Sequence, residues 1–213
     1  MATKKNPGKI FEGDLKDSFI ENEIFCMRIN DNYMANVQVG KGAFTTRNPA
    51  DFIFFYEGKL YFAECKSTKY KSMSFSLDPM DNGSPMIKAH QIESLMDFSN
   101  YEGIRCGFLL NFRDDTNPAN SLTYWMPIES FSMFLTKTDK KSINKLDIVE
   151  NDGLLIDSEV KRTHLRFDVR QMFEDIDNYY KTHEHTNIKE IMTEFRNQQV
   201  SAINDAMDDF VGG

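Results

Sequence analysis

Long hydrophobic runs are missing from this chain of 213 residues. The longest uninterrupted apolar stretches, such as FIFFY at 52 to 56, fall far short of the roughly 20 residues that cross a bilayer, so no membrane contact is expected. No apolar segment follows the lysines of MATKKNPGKIFEGD, so a secretory signal is not expected either, and the expected location is cytoplasmic. Cysteine is scarce. Cys26, Cys65 and Cys106 are widely separated and never form a C-x-x-C pair, which argues against a disulfide framework and against a zinc site. Repeats and low-complexity tracts are also absent. So is an excess of basic charge: the formal net charge is −8, whereas proteins that neutralise phosphates are usually basic. The acidity is uneven, however. Residues 1 to 149 hold 18 Lys and Arg against 19 Asp and Glu, while residues 150 to 213 hold 7 against 14. The front of the chain can therefore carry a local basic surface, with Lys59, Lys66, Lys69 and Lys71 as one candidate cluster and Lys137, Lys140, Lys141 and Lys145 as another.

What is present is enough for a core: 40% of residues are hydrophobic and 13% aromatic, including 18 Phe. The length suits one domain, or one domain with an appendage. Phe11, Leu15 and Phe19 recur every four residues, with Ile20 and Ile24 beside them, so residues 9 to 25 read as an amphipathic helix with Glu12 on its flank. FCMRI and ANVQV read as short strands. FIFFY and LYFAEC, separated by Glu57, Gly58 and Lys59, read as a hairpin, followed by a polar loop from 67 to 85. Residues 87 to 101 read as a second helix, with Gln91 set between Ile87 and Leu95 on an apolar line. IRCGFLLNF and LTYWMPI read as strands, ESFSMFL as a short helix, KTDKKSINKLDI as a polar loop and DVRQMFEDIDNYYKTH as a helix. A last helix over 187 to 210 carries a stripe of Ile188, Ile191, Met192, Phe195, Ile203, Met207 and Phe210. This order points to an α/β or α+β domain with a mixed sheet.

The hairpin holds the chemistry. With a two-residue turn at Glu57 and Gly58, opposed residue numbers sum to 115, and Asp51 then faces Glu64. Lys66 lies on that face too, because strand side chains alternate. A turn at Gly58 and Lys59 would instead oppose Asp51 to Lys66 and still keep the three together. Two carboxylates this close repel unless a cation relieves them. Mg²⁺ suits an all-oxygen set of carboxylates and a carbonyl, here that of Cys65, with Mn²⁺ as a substitute.

These residues, as PAD and ECK, resemble the signature of the PD-(D/E)XK nuclease superfamily. More narrowly, GKIFEGDL, TTRNPADF, YEGKLYFAECKST, HQIESL and KKSINK resemble, in order over about residues 8 to 173, the RecU-type Holliday junction resolvases of Gram-positive bacteria and their phages. The resemblance implies an α/β restriction-endonuclease-like core, with a mixed central sheet flanked by helices, over residues 1 to 173. An acidic helical extension over 174 to 213 would pack on the core or on a protein partner. It makes Asp51 and Glu64 metal ligands with the Cys65 carbonyl, Lys66 the active-site lysine, Glu12 a helix carboxylate near the metal and Gln91 a polar residue at the site's edge. Asp14 reads as solvated. Lys41 and Arg47, in a shortened version of the family's stalk, and Lys69, Lys71, Lys140 and Lys141 would contact DNA. The implied activity is a Mg²⁺-dependent endonuclease resolving four-way junctions by paired nicks that leave 5′-phosphates, acting as a homodimer. A less selective nuclease on forks, flaps or duplex, and a branched-DNA-binding accessory protein without turnover, remain as alternatives.

Overall fold

The structure, a computed structural model, describes residues 6–29, 50–78, 80, 81, 83–183, 190, 193 and 197. Asn6 starts the first helix, α1 (Pro7–Glu21), by accepting the Gly8 N–H at 3.0 Å, with Pro7 pre-set for the first turn. Then follow β1 (Phe25–Arg28), β2 (Phe52–Tyr56), β3 (Lys59–Thr68), β4 (Ser72–Ser74), α2 (Ala89–Ser99) and β5 (Ile104–Phe112). The remainder comprises β6 (Leu122–Pro127), α3 (Ile128–Thr136), β7 (Ser142–Asn144), α4 (Lys145–Glu150), β8 (Leu154–Ile156), β9 (Ser158–Lys161), β10 (His164–Phe167) and α5 (Val169–Thr182).

Six strands make one sheet in the order β1-β2-β3-β5-β6-β8. Only β3 and β5 run parallel, connected through α2, so the sheet is mixed, as expected. Its two faces bury separate apolar layers. Phe62, Cys106, Phe108 and Leu110 face Ile92, Leu95 and Met96 of α2 and Phe131 of α3. On the opposite face Phe52, Phe54, Tyr61 and Leu109 meet Phe11, Leu15 and Phe19 of α1 and Phe173 and Ile176 of α5. Phe19 stacks on Phe54 with centroids 4.1 Å apart, and Tyr56 on Phe173 at 4.6 Å, contacts that lock α1 and α5 over β2. The mixed α/β class is thus as the sequence implied, with α5 crossing residue 174 and burying Phe173, Ile176 and Tyr179.

The β2–β3 turn sets the register. Glu57 and Gly58 both take positive φ, +46° and +77°, the pair of left-handed residues a type I′ hairpin needs. Phe52 therefore opposes Ala63 and Tyr56 opposes Lys59. Between β5 and β6 the chains approach so closely that a Cβ at Gly107 would lie 2.7 Å from the Met126 carbonyl and from the Trp125 ring.

Two segments expected to be loops hold structure. β4 and β7 pair antiparallel, Ser72 opposite Asn144 and Ser74 opposite Ser142, and α4 follows at once. Asn144 caps α4 from the amides of Leu146 and Asp147. The β9–β10 hairpin, which no periodicity announced, packs against α1. The expected strand ANVQV, the stalk region with Lys41 and Arg47, and the apolar stripe from Ile188 to Phe210 lie outside the described residues. Among the described residues no helix is long and apolar enough to cross a membrane.

Candidate active site

Strand β3 carries the site at its carboxyl end. The β2–β3 ladder ends with Phe52 opposite Ala63, one residue short of Asp51 and Glu64, and strand alternation puts Lys66 on the same face as Glu64. Asp51 stands just before β2, where its own N–H donates to the Ala63 carbonyl at 3.1 Å and its carbonyl accepts the Ile29 N–H at 2.8 Å. Its side chain turns back to accept the Cys65 N–H at 2.8 Å. The N–H and C=O of one strand residue point to the same edge. The Cys65 carbonyl therefore leaves β3 on the side of the Asp51 carboxylate, beyond the last β2–β3 pair.

Glu64 is the most enclosed member, only 6% exposed. Its Oε1 accepts the Lys66 ammonium at 2.8 Å and also the Gln91 side-chain amide. Gln91 sits in the first turn of α2, and its own Oε1 accepts the Lys88 N–H at 3.0 Å, so the amide is oriented from both ends. The polar residue that interrupted the apolar line of this helix has its buried partner. Burial raises the Glu64 carboxyl above the ordinary range, and the neighbouring Asp51 adds to the rise against the pull of Lys66. Burial likewise raises Asp51, opposed by the Cys65 amide and by Lys66, with Glu12 pushing upward and Arg28 downward. Two carboxyls that resist losing their protons side by side form a pair that a cation would relieve.

Glu12 comes from the other face of the sheet, on α1, close enough to act on Asp51 electrostatically. Arg28 at the end of β1 holds it in an ion pair of 2.5 Å. Nothing in the sequence spacing singled out Arg28; only the pairing of β1 against β2, with Arg28 opposite Phe52, brings it beside the Asp51 turn. Among the described residues no group of three or more His, Cys, Asp and Glu side chains is arranged to hold a metal ion. The donors at hand are two carboxylates and one main-chain carbonyl, an all-oxygen set that fits Mg²⁺ or Mn²⁺ and leaves positions for water or phosphate oxygens.

The expected DNA-contacting lysines divide. Lys69 and Lys71 are exposed in the turn that follows β3. Lys141 is exposed beside β7, but Lys140 is tied to the buried Asp147 at 2.5 Å. Lys59, from the same candidate cluster as Lys66, reaches the opposite face and pairs with Asp177 at 2.5 Å. Asp14 is not solvated as expected. It is 5% exposed and accepts both His164 Nδ1 at 2.6 Å and the Leu165 N–H at 3.1 Å, pinning α1 to β10. An acid can be buried so because both oxygens are satisfied.

No family model matches the chain. Among solved structures it is similar to Hjc of Archaeoglobus fulgidus, described as a Holliday junction resolvase from an archaeal hyperthermophile. The identity is 17% and the TM-score 0.42, over 69% of this chain and 94% of that one. Among curated proteins it is similar to the SPbeta prophage-derived uncharacterized protein YotM of Bacillus subtilis (strain 168), 33% identical over 150 residues, which make up 67% of this chain and 70% of that protein. With that identity over more than two thirds of the relative, the chain belongs to the family of YotM.

Proposed function

We propose that this protein is a Mg²⁺-dependent endonuclease of the PD-(D/E)XK type that cuts four-way DNA junctions as a homodimer, by paired nicks leaving 5′-phosphates. The observation that carries the reading is the convergence at one strand end of the Asp51 and Glu64 carboxyls, the Lys66 ammonium and the Cys65 main chain. A purely structural cluster gains nothing from two acids that burial holds above their ordinary ionisation range; a cation site does.

Each residue then has a task. Asp51 and Glu64 would hold the ion with the Cys65 carbonyl. The Cys65 N–H aims Asp51, and Gln91 aims Glu64. Bound there, Mg²⁺ would supply a more acidic water and offset charge on the phosphoryl oxygens. Lys66, 15% exposed in its side chain, would orient the attacking water or a phosphate oxygen. A substrate with approximate two-fold symmetry asks for two such sites, hence two copies of the chain. Lys69, Lys71 and Lys141 would fix the DNA through phosphates, and the shape of the branch rather than base sequence would provide most of the selectivity.

The test is cleavage of a four-way junction, a fork and a linear duplex across a Mg²⁺ titration. Junction cleavage that needs the metal and exceeds the other two substrates is expected. Equal rates on all three would leave a less selective nuclease, and binding without cutting in Mg²⁺ or Mn²⁺ would leave an accessory protein.

A further inference from the structure

We infer that Tyr70 is a stacking platform for an unstacked nucleobase of DNA at the branch point, set just beyond the cutting site. The inference rests on the nuclease reading above and adds to it the feature of the substrate that is recognised. Tyr70 is 70% exposed, the most exposed aromatic side chain among the described residues. Its position is pinned rather than loose. The Tyr70 N–H donates to Thr68 Oγ1 at 3.1 Å, and Thr68 is itself buried at the end of β3, where its carbonyl accepts the Arg113 N–H at 2.8 Å. Two residues later β4 begins and is paired to β7. The backbone that carries the ring is thus fixed on both sides, so its ordering is not left to be paid on binding.

Its surroundings are cationic. The Lys69 ammonium lies 5.6 Å from the Tyr70 ring centre, and Lys71 is exposed on the other side in sequence. The β4–β7 ladder opposes Ser72 to Asn144 and so brings Lys145 to the same end of the sheet, where its ammonium lies 5.9 Å from the ring of Phe112, the β5 partner of Thr68. An aromatic ring set among lysines is the arrangement that receives a base between two backbone phosphates.

Position gives the ring its selectivity. Tyr70 is four residues past Lys66, a reach of at most about 13 Å along an extended chain, or about four nucleotides at the 3.4 Å spacing of a duplex strand. Inside a continuous duplex every base face is covered by its neighbours, and only base edges are open to a protein. A face becomes available where stacking is broken, at a branch or a frayed end. Tyr70 would thus reward branched DNA and ignore linear DNA while the catalytic residues treat both alike.

The experiment compares Tyr70→Ala, Tyr70→Phe and Tyr70→Trp with Tyr101→Ala, a change at another exposed tyrosine, placed where β5 begins at the far end of the sheet. Loss of one base–aromatic stack corresponds to a fall of about 10- to 100-fold. Junction cleavage by Tyr70→Ala should fall by that factor while linear-duplex cleavage stays within about twofold. Tyr70→Phe, Tyr70→Trp and Tyr101→Ala should stay near the unsubstituted protein. A second arm needs no turnover: in an Asp51→Asn background, Tyr70→Ala should lower the ratio of junction to duplex affinity and brighten 2-aminopurine placed at the branch. That arm reports on the platform even if the protein cuts nothing. Equal loss on junction and duplex, a Tyr70→Phe defect as large as that of Tyr70→Ala, or an unchanged affinity ratio and 2-aminopurine signal would overturn the inference.

Discussion

The Cys65 main-chain amide donates to the Asp51 carboxylate at 2.8 Å, across the open end of the β2–β3 hairpin. That bond makes the position of Asp51 a property of the strand rather than of a loose turn. It also predicts how the site can be switched off without unfolding. In Asp51→Asn the side-chain carbonyl can still accept the amide, so the hairpin is retained while one negative charge is lost. Removing a group that hydrogen-bonds to a metal ligand typically costs about 10- to 100-fold, so removing the ligand's own charge should cost at least about 100-fold. Cleavage should fall by that much in Mg²⁺, with junction affinity within a few-fold of the unsubstituted protein by gel shift. Parallel loss of both would argue that Asp51 acts in binding or folding instead.

Gln91 offers the graded version of this test. It bridges the Lys88 N–H and the Glu64 carboxylate, so Gln91→Ala removes one of two donors from a group that is only 6% exposed and leaves Lys66 alone to orient it. A drop in cleavage of about 10- to 100-fold is expected, together with a higher Mg²⁺ concentration at half-maximal rate. A lower rate at an unchanged metal requirement would place Gln91 outside the support of the ion.

Much of this site was legible before any coordinates. The parity argument needed only the Glu57–Gly58 turn and put Glu64 and Lys66 on one face, where they pair at 2.8 Å. Asp51 meets them through a bend beyond the last β2–β3 pair, with its N–H on Ala63 and its carboxylate on the Cys65 amide, which turn parity does not contain. The long amphipathic elements were legible too, because Phe11, Leu15 and Phe19 or Ile92, Leu95 and Met96 repeat at helical spacing over several turns. Short polar strands were not. β4 and β7 are three residues each, SMS and SIN, and gain their stability from pairing with one another across about 70 residues of sequence. Asp14 failed for a related reason: its partners, His164 and Leu165, lie 150 and 151 positions away, and no local pattern marks an acid that will be buried. Arg28 was equally silent, a cation at a strand end until β1 is laid against β2.

Glu12 carries a separate prediction. Its pairing with Arg28 neutralises it at a point where an additional carboxylate would otherwise strengthen the pull on a cation. Glu12→Gln should raise the Mg²⁺ concentration at half-maximal rate if the acid contributes to the site, and Arg28→Gln should lower it while reducing junction affinity. A Glu12→Gln protein with unchanged metal titration would confine this pair to bracing α1 against β1.

The basic surface can be dissected by salt. Lys69 and Lys71 are exposed in the turn after β3, whereas Lys140 is held by the buried Asp147. Each lysine that neutralises a phosphate adds close to one unit to the slope of log affinity against log salt. Lys69→Ala and Lys71→Ala should each lower that slope by about one, and Lys140→Ala by much less while costing thermal stability. A Lys140→Ala slope change equal to the others would mean that the Asp147 pair opens on DNA.

The last prediction concerns stability and lies away from the chemistry. Glu129, at the start of α3, is 4% exposed, and burial pushes its carboxyl up to about 7 from an ordinary value of 4.5. Tyr180 donates its hydroxyl to Glu129 at 2.9 Å, and the Arg105 guanidinium lies 4.1 Å from the Tyr180 ring, so α5 is anchored to α3 and β5 at this point. A folded-state value above the unfolded one means that the folded protein holds more proton between about pH 4.5 and 7. Stability therefore falls as pH rises through that window and the cost is fully present above it, to about 3 kcal/mol by the size of the shift. Glu129→Gln keeps an acceptor for Tyr180 and cannot ionise. It should match the unsubstituted protein in urea unfolding near pH 4, gain stability progressively toward pH 8, and flatten the pH profile between. Equal stability of the two proteins at pH 8 would show that Glu129 is ionised there without penalty, its charge already balanced by Arg105.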